Sequence, residues 1–196
     1  MRSPYLCTFC LSMASFTVAA QDLDRGIELY RRNDFAAVAS SLRQVVDADG
    51  SNARANRYLG LALLEQTKTS EAEPFILKAN ELEPGGESNM AMARLYIEKK
   101  EYDKAAAALK EAEGEETPYV RGLLSLMRKQ YEPAARDLES FSQGHPDFAY
   151  AHYYAGLAYN GMKRPDKMLT HFEMFVKMKP DAPEARKVRS VLQTGR

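Results

Sequence analysis

Apolar residues fall three and four positions apart through almost all of the chain after residue 20, and the pattern itself returns every 33 or 34 residues. Gly26-Ile27-Glu28-Leu29-Tyr30 recurs as Gly60-Leu61-Ala62-Leu63-Leu64, then as Ala93-Arg94-Leu95-Tyr96, Gly122-Leu123-Leu124-Ser125 and Gly156-Leu157-Ala158-Tyr159. Three- and four-residue spacing puts side chains on one face of a helix. A fixed period of this length marks a stack of like supersecondary units, each unable to bury its apolar face alone.

Each unit reads as two amphipathic helices joined by a short polar turn, such as Gln66-Thr67-Lys68-Thr69 or Gly161-Met162-Lys163-Arg164. Pro84, Pro146 and Pro180 close units, because proline cannot continue a helix. The recurrent Gly lets the two helices approach where they cross, and Ala72, Ala105 and Ala134 do the same from the second helix. Tyr96, Leu109, Tyr159 and Phe172 are expected to fill the space between one hairpin and the next. The third unit is about five residues short. Gly114 is expected to cap its second helix, and Thr117-Pro118 to restart the chain as N-cap and first-turn proline.

The spacing and residue types resemble the tetratricopeptide repeat. That pattern has a small and a large apolar residue in the first helix, then Ala, a large residue and Ala in the second, then Pro. The second copy carries it at Leu59, Gly60, Leu63, Ala72, Ile76, Ala79 and Pro84; the third at Ala93, Tyr96, Tyr102, Ala105, Leu109 and Ala112. The fourth carries Gly122, Tyr131, Ala134, Leu138 and Pro146, the fifth Gly156, Tyr159, Phe172 and Pro180, and a degenerate first copy Gly26, Leu29, Phe35, Val38, Leu42 and Val45. The resemblance implies an all-α fold, a right-handed α-α superhelix of about five helix-turn-helix units over residues 22–52, 53–85, 86–114, 115–148 and 149–181. A capping helix over 183–193 ends it.

The same resemblance implies a function. First helices of successive units line a concave face in this family, and their unspent side chains bind protein segments. Leu23, Ile27 and Tyr30 stand at those positions, then Arg57, Leu61 and Leu64, then Met90, Arg94 and Ile97. Tyr119, Leu123 and Leu126 follow, then Tyr150, Tyr153, Leu157 and Asn160. The expected groove is apolar and aromatic with Arg57 and Arg94 as cationic exceptions, and about half of its residues are expected to be consumed by packing. The family's clamp for chaperone C-terminal tails is missing its asparagines, since Ile27, Leu61 and Ala91 occupy those positions.

Residues 1–20 stand outside the repeat. Arg2 is followed by an uncharged, apolar run from Leu6 to Ala20 with small residues at its end, the layout of a secretory signal peptide cleaved after Ala20. It is short for a membrane span, which needs about 20 apolar residues; an uncleaved anchor is the alternative, and the only route to a membrane. Neither Cys7 nor Cys10 follows the small residue that a lipid-attachment signal wants. Cleavage would leave no cysteine, hence no disulfide, and would send the protein to the periplasm or outside the cell.

Charge narrows the function further. The chain carries 27 basic and 27 acidic residues, which speaks against bulk electrostatic binding of nucleic acid. The balance drifts: residues 65–116 hold 13 acidic and 7 basic residues, residues 117–196 hold 8 and 13. No phosphate-cradling loop, nucleophile elbow or metal-binding spacing is present, and no cofactor is implied. His145 lies in the loop before Pro146-Asp147, while His152 and His171 lie on the two helices of the fifth unit, where they could approach each other. The expected function is a non-enzymatic scaffold or adaptor of the cell envelope, holding a peptide segment or helix of a protein partner. The alternative is a self-associating structural subunit of a secretion, pilus or outer-membrane assembly.

Overall fold

A computed structural model describes residues 21–194; the signal-peptide reading lies outside the described residues. Eleven helices and no strand are present among them. They divide into two compact units, broken between Pro84 and Gly85.

The first unit contains α1 (21–31), α2 (Phe35–Ala48), α3 (Ala53–Glu65) and α4 (Thr69–Leu82). Two caps fix its register: the Asp34 side chain accepts from Ala37 N at the start of α2, and Asn52 from Ala55 N at the start of α3. Each satisfies one amide that a helix N-terminus leaves unpaired. Tyr30 is 1% exposed and makes edge contacts with Phe35 and Tyr58, at 5.5 and 5.3 Å between ring centroids. Val38, Leu42, Leu59, Ile76 and Ala79 complete the core.

The second unit contains α5 (Gly86–Glu98), α6 (Tyr102–Lys110), α7 (Thr117–Met127), α8 (Tyr131–Gly144), α9 (Ala149–Gly161), α10 (Pro165–Met178) and α11 (Ala185–Thr194). Consecutive helices pack as antiparallel hairpins, and α5 with α7 and α7 with α9 bring successive first helices side by side. Tyr119 anchors this core against Phe141 and Phe148, with centroids 5.3 and 5.0 Å away.

In four of the five hairpins the small residue is matched by a large one sixteen positions on: Gly26 with Leu42, Gly60 with Ile76, Gly122 with Leu138, Gly156 with Phe172. A Cβ on Gly122 would lie 2.7 Å from Leu138 Cγ, closer than real Cβ contacts come. This corrects the expectation for Phe172, which packs against the glycine of its own hairpin rather than between hairpins. Tyr159 does bridge: it leaves α9 to meet α8 of the preceding hairpin.

Every hairpin turn has one geometry. Asn33, Thr67, Lys100, Lys129 and Lys163 each take a left-handed backbone with φ between 56° and 60°. In each, the following amide reaches back five residues: Asp34 to Leu29, Lys68 to Leu63, Glu101 to Tyr96, Gln130 to Ser125, Arg164 to Tyr159. This is the Schellman closure of a helix end, here made without glycine.

The short third hairpin departs from expectation at both ends of its linker. Helix α6 stops at Lys110, four residues before Gly114, which instead takes φ +119° inside the link. Thr117 is the first residue of α7, with Glu116 at the cap position and Pro118 in the first turn. Asn89 of α5 donates to the Glu111 carbonyl at 3.2 Å, tying the released chain back to the neighbouring helix.

Candidate partner-binding face

Of the sixteen residues placed in the expected groove, twelve are buried: Leu23, Ile27, Tyr30, Arg57, Leu61, Leu64, Met90, Arg94, Ile97, Tyr119, Leu123 and Leu126. That is more than the half expected to be spent on packing. Neither arginine is a solvent-facing cation. Arg57 is 3% exposed with Nη1 3.6 Å from a Glu83 carboxylate oxygen, and Arg94 is 3% exposed and ion-paired with Glu98 one turn on. A buried guanidinium needs such a partner, because desolvation without one is prohibitive.

Accessible surface remains on α9. Tyr150, Tyr153 and Leu157 are half-buried and Asn160 is exposed, and their offsets of three and four residues set them on one face. The opposite face explains why. Ala151, Ala155 and Ala158 there are buried, so small residues draw the helix in and large ones are left on its free side. Tyr153 stands among Tyr154, Phe175 and Phe172, with centroids at 5.1, 5.0 and 6.3 Å. Tyr150 contacts Phe175 at 5.6 Å and donates to Glu184 at 3.4 Å. Burial, helped by the Glu184 charge, pushes the Tyr153 phenol above its usual range, so it stays a neutral hydrogen-bonding group. The face is a rigid aromatic surface with polar tips, the kind of group that dominates binding energy at interfaces.

Sequence reasoning missed Tyr154, which joins this cluster and meets Tyr119 of α7 at 6.1 Å. The run of three tyrosines in five residues was the available signal. It also missed a polar network behind α9. Tyr159 donates to Glu139 of α8 at 2.6 Å, and Lys167 of α10 reaches Glu139 at 3.2 Å and the Tyr159 hydroxyl at 3.0 Å. The Tyr159 hydrogen bond, with Lys167 adding to it, holds the Glu139 carboxyl below its ordinary range. An open pocket of about 350 Å³ lies beside this network, lined also by Glu132, Arg136 and Arg164.

The two histidines of the last hairpin do meet. His152 Nδ1 and His171 Nδ1 are 3.1 Å apart. Burial lowers the His152 pKa, and burial together with His152 brings His171 down to about 4, so both rings are neutral at neutral pH. His145 stacks on Phe141 at 4.2 Å, well apart in role from this pair.

A chain of like helical hairpins, each closed by the same turn, is a helical-repeat protein of the interaction-scaffold class. Tetratricopeptide repeat family models match residues 23–87, 86–114 and 150–182, and the chain belongs to the tetratricopeptide repeat family. No curated protein sequence matches it. Among solved structures it is similar to a thermophilic tetratricopeptide protein of Thermus thermophilus, with a TM-score of 0.66 and 17% identity over 89% of this chain and 99% of that one. It is similar to pilF of Pseudomonas aeruginosa, with a TM-score of 0.54 and 15% identity over 90% of this chain and 88% of that one. A tetratricopeptide protein of Parabacteroides merdae gives 0.50 and 18% over 90% and 73%. At these identities the likeness is one of fold. The family is generally non-enzymatic, and its fold points to protein–protein interaction.

Proposed function

We propose that this chain is a protein-binding scaffold of the cell envelope and that the tyrosine face of α9 is where it holds its partner, a peptide segment or helix of another envelope protein. The observation that carries the site is the set Tyr150, Tyr153, Leu157 and Asn160, which alone among the expected groove residues keeps accessible surface. Aromatic side chains held by neighbours lose little entropy on binding, so contact there is efficient. An extended segment can lay its side chains between them, and their hydroxyls can take its backbone groups. The envelope location rests on the apolar run from Leu6 to Ala20.

The test is in-cell crosslinking from a photo-reactive residue at position 153, with the adducts identified by mass spectrometry. The expected result is one dominant envelope partner, absent when the probe moves to the exposed Lys177 of α10. Adducts to the chain itself alone would transfer the function to self-assembly, and equal adducts from both positions would remove the α9 face as the site.

A further inference from the structure

The proposed partner face makes no use of His152 and His171. Their rings come from the two helices of the last hairpin, with centroids 5.3 Å apart and planes at 38°. His152 is half-buried and His171 is buried. In the metal-free protein one neutral ring donates its Nδ1 proton to the other. The same 3.1 Å separation is also a chelate bite. Two imidazole nitrogens so spaced, each about 2.0–2.1 Å from one ion, subtend an angle of about 100° at it, between a square-planar and a tetrahedral value.

We propose that His152 and His171 form a two-imidazole site for a divalent transition-metal ion of the Zn(II), Ni(II) or Cu(II) class, joining α9 to α10. Imidazole nitrogen suits these ions, whereas magnesium and calcium want oxygen ligands. The site is held in place from one side. The Tyr159 ring stacks on His171 at 5.5 Å and 17°, and Tyr159 is itself fixed by Glu139 and Lys167. Those two groups face the pair with opposite charges, the carboxylate from α8 and the ammonium from α10. The ring that carries its proton on Nδ1 shifts it to Nε2 as the ion enters, which leaves a lone pair on each Nδ1 for the ion. Among the described residues no third His, Cys, Asp or Glu completes a cluster. Water therefore fills the remaining positions, and the ion exchanges readily.

The experiment titrates Ni(II) into the full chain without an affinity tag, with Cys7 and Cys10 alkylated so that no thiolate competes. Calorimetry gives stoichiometry and affinity, and nitrogen-detected NMR of the histidine rings reports which nitrogens bind. One ion per chain is expected, with His152 and His171 Nδ1 resonances perturbed and His145 unchanged. His152→Gln is expected to weaken binding at least tenfold. Unchanged affinity in that variant, perturbation of His145 alone, or no perturbed ring would overturn the site. Should His152→Gln unfold, the ring resonances of the unsubstituted protein decide by themselves.

Discussion

Gly60 and Ile76 face each other across one hairpin so closely that a Cβ on the glycine would lie 2.5 Å from Ile76 Cγ1 and 3.3 Å from the Ala72 carbonyl oxygen. The isoleucine could turn away from a methyl group, but the backbone oxygen of α4 has no such freedom. Gly60→Ala is therefore expected to destabilise the first unit by about 1–3 kcal/mol, the range for overpacking a filled core. Gly144, at the end of α8 with nothing within 4 Å of a Cβ, is the control. Gly144→Ala is expected to gain about 0.4–1 kcal/mol by restricting the unfolded chain. Urea midpoints of the two variants check both signs.

Thr67 occupies the left-handed position of its turn at φ 60°, where a β-branched side chain is badly placed. Thr67→Gly keeps the Lys68-to-Leu63 hydrogen bond and relieves that strain. A gain of about 1 kcal/mol is expected, since the left-handed conformation costs an L-residue about 1–2 kcal/mol and glycine gives part of it back as unfolded-state entropy. A lower urea midpoint in this variant would show that the threonine is not strained.

Tyr159→Phe leaves the ring in place and removes the hydroxyl that meets Glu139 at 2.6 Å. A loss of about 1 kcal/mol at neutral pH is expected, the low side for a hydrogen bond to a charged group because Glu139 keeps contact with solvent. The pH dependence carries a second signature. Glu139 has a folded pKa below its ordinary 4.5, so its contribution is present above that value and is lost as pH falls through the folded pKa. Removing the largest cause of the depression should flatten that acid limb. Thermal melts of both proteins between neutral pH and pH about 3 check this.

Tyr153→Phe preserves the ring contacts with Phe175, Tyr154 and Phe172, and Tyr153→Ala removes them. If the α9 face binds a partner, the alanine variant should lose at least tenfold in affinity, about 1.4 kcal/mol. The phenylalanine variant should lose much less. Affinity for the crosslinked partner, measured by calorimetry, is the readout, with circular dichroism confirming that both variants stay helical.

The repeat was legible because its signal lies in small residues at a fixed register. Gly26, Gly60, Gly122 and Gly156 announce the crossing points, and the prolines announce the ends. The turns were located but their geometry was hidden, since Lys100, Lys129 and Lys163 carry no mark of a left-handed backbone. The solvent-facing groove was less legible still. Arg57 and Arg94 look like binding cations until Glu83 and Glu98 are found beside them. Whether a tyrosine is core or surface depends on what the next helix brings: Tyr119 and Tyr153 hold like positions, yet only Tyr119 is enclosed by Phe141 and Phe148. The contact of Tyr159 with Glu139 joins two hairpins and leaves no periodic trace in the chain.

The sixteen-residue reach from each of these glycines to its large counterpart also sets how this protein finds its structure. Every hairpin is assembled from contacts close along the chain, so little loop entropy is spent before the first apolar pairs form. Topologies of such low contact order fold in microseconds to milliseconds. A stack built from local hairpins can also begin folding at any of them. The chain is thereby suited to reach its shape quickly, without waiting for its two ends to meet.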